Sequence, residues 1–157
     1  MAMTHVKQMQ EIANRFIESN GGRAASAHEI AKWAIDKGFW KPHPSSALNQ
    51  CATEISEALR QEYILDPQGR TVRAKHAARI LCDGEQQVLW ADIRSADRPH
   101  MEIAFKQRRK QVAADCCQLK RDVDSYNENN NPGEPIQIPF DFTPDVLEAE
   151  AGAKVGV

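Results

Sequence analysis

Glycine and proline divide the first half of this chain into short pieces: Gly21-Gly22, Gly38, and Pro42 with Pro44 each interrupt a helical pattern, and Pro67 with Gly69 marks a turn. Whatever lies between them must be brief. Over residues 4–19, Val6, Met9, Ile12, Ala13, Phe16 and Ile17 recur at helical spacing, so a first helix ends at the glycine pair. Ser26-Ala27-His28-Glu29 reads as a capping box, in which the serine hydroxyl and the glutamate carboxylate each satisfy the other's backbone amide. A second helix therefore starts there, carries Ile30, Trp33, Ala34 and Ile35, and stops at Gly38, a residue free to take a positive φ.

Pro44 suits the first turn of a third helix beginning near Ser45 and running to about Glu62. Its expected buried stripe is Leu48, Cys51, Ala52, Ile55 and Leu59. Tyr63-Ile64-Leu65 then reads as a strand, Asp66-Pro67-Gln68-Gly69 as a tight turn, and residues 70–73 as the returning strand. Three helices followed by a hairpin are the order of a winged helix-turn-helix.

Past residue 77 the pattern changes. Residues 79–82 and 88–93 flank Asp83-Gly84, a strong hairpin signal. From about 98 to 126, Met101, Phe105, Val112, Cys116, Leu119, Val123 and Tyr126 form a narrow apolar stripe on one long helix, with Arg108 at the position that a step of seven passes over. Such a helix lies along the body or pairs with its own copy. An asparagine-rich run ends it, and residues 136–142 alternate apolar and polar like an extended strand before a short acidic end. The expected fold class is α+β, mainly helical. Its parts are a winged helix over residues 1–77, a β-hairpin and long helix over 78–126, and an extended, partly disordered acidic tail over 127–157.

Composition narrows the function classes. With 41% hydrophobic and 27% charged residues the chain can bury a core, and no apolar run is long enough to span a bilayer or to act as a secretory signal. A cytoplasmic protein without membrane contact is expected. Cys51, Cys82, Cys116 and Cys117 contain no CxxC spacing, so reduced packing cysteines are expected, not a zinc site. The five histidines are scattered, with no HExxH pattern, nucleophile motif or phosphate loop. No catalytic residue, metal or cofactor follows from the sequence, and the expectation is a non-enzyme.

The segment HEIAKWAIDKGFWKP, followed by SSALNQCATEISEALRQEYILDPQGR, resembles the HARE-type winged helices, and the likeness spans about half the chain. That family is found in a bacterial RNA polymerase accessory subunit, restriction endonucleases and chromatin proteins. The resemblance implies contact with DNA, or with proteins around DNA, in an accessory or regulatory role, and no chemistry. The chain departs from the family pattern in its third helix, where Arg60 is the one cation beside Glu54, Glu57 and Glu62.

Duplex DNA binding needs cations against phosphates and polar side chains at base edges. Ser45, Ser46, Asn49 and Gln50 fall at the N-terminal end of the third helix, where recognition helices present side chains to the major groove, and Arg60 lies at its other end. Gln68 sits in the turn. Arg70, Arg73, Lys75, His76 and Arg79 follow with no acid between Gly69 and Cys82. Three or four phosphate contacts from this stretch give a log-log salt slope of about −3. Lys106, Arg108, Arg109 and Lys110 make a second basic cluster on the long helix. The alternative is a protein-interaction adaptor anchored by Trp33, Phe39, Trp40 and Trp90, with residues 136–142 adding a strand to a sheet edge of this chain or of a partner.

Overall fold

The computed structural model describes residues 4–43 and 46–155. Pro44 and Ser45 lie outside the described residues. The chain is α+β and mainly helical, and it forms two compact units, residues 1–57 and 58–157.

In the first unit, α1 (His5–Ser19) begins at Thr4, whose hydroxyl accepts a hydrogen bond from the Lys7 amide at 3.3 Å. α2 (Ala27–Asp36) begins with the capping box, both of its hydrogen bonds being 3.1 Å. Gly38 takes φ of 75°, and the Phe39 amide reaches back to the Ala34 carbonyl at 2.9 Å. That turn folds Phe39 onto Trp33, with ring centroids 5.3 Å apart, and Phe16 meets the other side of Trp33 edge-on at 5.6 Å. α3 (Ser46–Arg60) follows. Here the sequence reading needs correction: Leu48, Cys51, Ala52 and Ile55 are exposed, and of the expected stripe Leu59 alone is half-buried. The aromatic side chains of α1, α2 and their exit loop close on one another, whereas helical spacing reports that a face is apolar and not what covers it.

The second unit contains two antiparallel hairpins. β1 (Tyr63–Leu65) pairs with β2 (Thr71–Arg73), Ile64 opposite Val72. β3 (Lys75–Cys82) pairs with β4 (Glu85–Asp92) around Asp83 and Gly84, whose φ angles of 48° and 82° belong to a type I′ turn. α4 (Arg98–Asn129) starts where the Asp97 carboxylate accepts from the His100 amide at 2.9 Å, and it lies on β3. Among the described residues of this unit, Ala74, His76 and Ala78 of the strand region and Ala104 of α4 are buried, and the small size of the alanines lets the helix come close to the strand. The Gln107 amide accepts from the Arg79 N–H at 2.7 Å and donates to the Arg79 carbonyl at 2.8 Å.

The C-terminal segment departs from expectation. Residues 136–142 join no ladder, and the stretch expected to be a disordered end forms α5 (Thr143–Val155). Asp141 accepts from the Thr143 amide at 3.1 Å, Pro144 and Asp145 occupy the first turn, and Leu, Glu and Ala follow. These are helix-forming choices that an acidic charge count conceals. Among the described residues no helix is long and apolar enough to cross a membrane.

Candidate nucleic-acid interface

The basic residues of the second unit divide by local pairing. Asp66 accepts hydrogen bonds from the amides of Gln68 and Arg70 at 3.0 and 2.8 Å and from Arg70 Nε at 2.7 Å. This holds its carboxyl below the usual range, chiefly through the Arg70 amide. Gln68 also accepts from Arg70 Nη2 at 3.2 Å, so both candidate residues are engaged within their own turn. Lys75 is paired with Asp92 at 2.9 Å and Glu62 at 3.3 Å. Asp92 is also gripped by Arg94, which is the main reason its carboxyl is strongly acidified.

His76 is 7% exposed and stacks edge-on against Phe105, with centroids 5.4 Å apart. Its Nε2 donates to the Arg73 carbonyl at 2.9 Å, because a carbonyl can only accept. Burial first, and then the charges of Arg108, Arg73 and His100, hold its imidazole below the ordinary value against that opposing hydrogen bond. His76 is therefore a neutral packing residue at neutral pH, and the sign of the field around it is positive.

That field has a visible source. A pocket of about 230 Å³ is lined by Arg60, Arg73, Lys75, His76, Trp90 and Arg108 among others. A second, of about 420 Å³, is lined by Arg60, Arg79, Gln107, Lys110 and Gln111. Arg60, Ala77 and Gln111 belong to both, so the two hollows form one trough along β3 and α4, and no carboxylate lines either. Arg73, Arg79, Arg108 and Lys110 make no ion pair among the described residues. The Arg60 guanidinium sits 5.7 Å from the centre of the Trp90 ring.

The trough thus gathers Arg60, Arg73, Lys75, His76, Arg79 and Lys110 of the expected set, of which Lys75 is ion-paired and His76 is buried. Lys106 and Arg109 are exposed on α4 and do not line it. Ser46, Asn49 and Gln50 belong to the first unit. Ser46 is half-buried, Asn49 is exposed, and Gln50 donates to Glu54 at 3.3 Å. Ser45 lies outside the described residues. Sequence reasoning counted Arg108 in the basic cluster of the long helix but did not place Trp90, Gln107 and Gln111 in the site. The signal was present in the helical spacing of His100, Ala104, Gln107, Gln111 and Ala114, which marks a face of small and amide side chains able to lie on a strand.

No family model matches this chain, and neither a curated protein nor a solved structure matches it.

Proposed function

We propose that this protein binds duplex DNA, as an accessory or regulatory factor, with the trough between β3 and α4 lying against the phosphate backbone. The observation that carries this reading is the set of four cations, Arg73, Arg79, Arg108 and Lys110, lining a carboxylate-free hollow without ion pairs among the described residues. Like charges gathered without counter-charges repel one another, and an anionic ligand relieves that repulsion. Phosphate contacts of this kind position a protein on a duplex and carry little sequence information. The likeness of residues 28–70 to HARE-type winged helices points the same way.

Four phosphate contacts give a log-log salt slope between about −3 and −4. Anisotropy titration of a labelled duplex at two salt concentrations measures it. The triple change Arg73→Ala, Arg79→Ala and Arg108→Ala is expected to weaken low-salt binding at least about tenfold and to flatten the slope by about 3. Arg70→Ala is expected to leave both unchanged. A triple variant with wild-type affinity and slope removes the trough from consideration.

The adaptor reading, which rests in the sequence on the aromatic anchors and residues 136–142, finds a further exposed apolar surface on α3, where Leu48 is 79% exposed. It predicts no salt-dependent DNA binding in the same titration, and binding to a protein partner that is lost on Leu48→Asp.

A further inference from the structure

α4 is 32 residues long, about 48 Å of helix, but β3, the strand it lies on, is eight residues long. The sheet-facing side carries Ala104, Gln107 and Gln111. About a quarter-turn and more around the axis, Phe105, Val112, Leu119 and Tyr126 repeat every seven residues and stand 49%, 54%, 42% and 42% exposed. Between them on the same seam lie Cys116 and Val123, both half-buried, and Arg109, which is exposed. A heptad seam with apolar residues at both alternating positions is the pattern by which one helix packs on another.

Charge decides the occupant. The first half of α4 carries Lys106, Arg108, Arg109 and Lys110 in one cluster, and the second half carries Asp115, Asp122, Asp124 and Glu128 against Lys120 and Arg121. Lys120 is already paired with Asp124 at 2.6 Å. A helix that is positive at one end and negative at the other complements itself when reversed. Aligned in the same direction, two copies would place Arg109 on Arg109 and one basic cluster on the other.

We propose that α4 is a homodimerisation helix that pairs antiparallel with α4 of a second copy. In the register that matches the charges, Val112 lies level with Val123 of the other copy and Cys116 with Leu119. Arg109, the charged residue interrupting the seam, then meets Tyr126, whose ring face and hydroxyl both accept a guanidinium. Phe105 falls outside the overlap, where it already packs on His76. This inference is independent of DNA binding.

The test uses the full chain. Sedimentation equilibrium at tens of micromolar is expected to return twice the 17.6 kDa of the chain, and Leu119→Asp to return the single-chain mass with unchanged far-ultraviolet circular dichroism. Orientation is read by disulfide trapping in a background whose native cysteines are changed to serine. A mixture of V112C and V123C is expected to cross-link, and each alone to remain uncross-linked, since two copies of either position are about 16 Å apart along the axis in this register. A single-chain mass for the wild type overturns the dimer. Efficient cross-linking of V112C with itself overturns the antiparallel arrangement.

Discussion

The two hairpins of the second unit are built by opposite means. β1–β2 has three-residue strands with no buried residue, and it is closed by turn chemistry: the Asp66 carboxylate gathers two amides and a guanidinium. β3–β4 has eight-residue strands, and β3 is covered by a helix, so packing stabilises it. This difference sets where charge remains available. In the first hairpin the cation Arg70 is part of the fold. In the second, α4 supports the strand, and Arg79 of β3 with Arg108 and Lys110 of α4 make no ion pair among the described residues. The division is not complete: Lys75 of β3 is paired across the ladder with Asp92, and Arg73 of β2 makes no ion pair among the described residues.

That contrast can be broken at its strongest point by overfilling the contact. Ala78 is fully buried, and Ala78→Leu is expected to destabilise the second unit by about 1–3 kcal/mol in urea unfolding, because the strand and helix must separate to admit the extra carbons. The next largest effect is an acid dependence confined to the packed hairpin. His76 has a folded-state pKa below its unfolded value near 6.5, so the unfolded chain binds more protons, and stability present above about pH 6.5 is lost as pH falls toward the folded value. His76→Gln is expected to abolish that step in a pH series of unfolding midpoints. Asp66 and Asp92 are depressed in the folded state, so the stability they contribute persists above the ordinary carboxylate range near pH 4 and is lost only below it. Arg60→Ala removes the cation–π contact with Trp90, an expected loss of about 0.5–1 kcal/mol accompanied by a change in tryptophan emission. Leu65→Ala in the turn-closed hairpin, at a residue 72% exposed, is expected to change stability by no more than about 0.5 kcal/mol. A cost for Leu65→Ala equal to that of Ala78→Leu would erase the distinction between the two hairpins.

Much of the secondary structure was legible because its signals are local. The capping box at Ser26 and Glu29, the Gly38 exit, the Asp66 turn and the Asp83-Gly84 corner each specify their geometry within a few residues. Packing was less legible. Spacing showed that α3 has an apolar face, but Leu48 and Ile55 are exposed while Phe16, Trp33 and Phe39 pack on one another, a choice of partners that no window around α3 contains. The tail was misjudged because its acidity obscured a run of helix formers behind Asp141 and Pro144. The same limit governed the site. The basic stretch from Arg70 to Arg79 looks continuous in sequence, yet Arg70 and Lys75 meet Asp66, Glu62 and Asp92, the last of these 17 residues from Lys75. Arg60 and Lys110 come to one trough from elements 50 positions apart, a conjunction that only the fold supplies.

The amide of Gln107 has a consequence beyond positioning. A strand with a free border invites another chain to continue the sheet, the route by which β-rich proteins join into fibres. By taking the N–H and the carbonyl of Arg79 together, this one side chain plugs that border midway along β3. Gln107→Ala would leave the two groups open to any extended peptide, including another copy's β3.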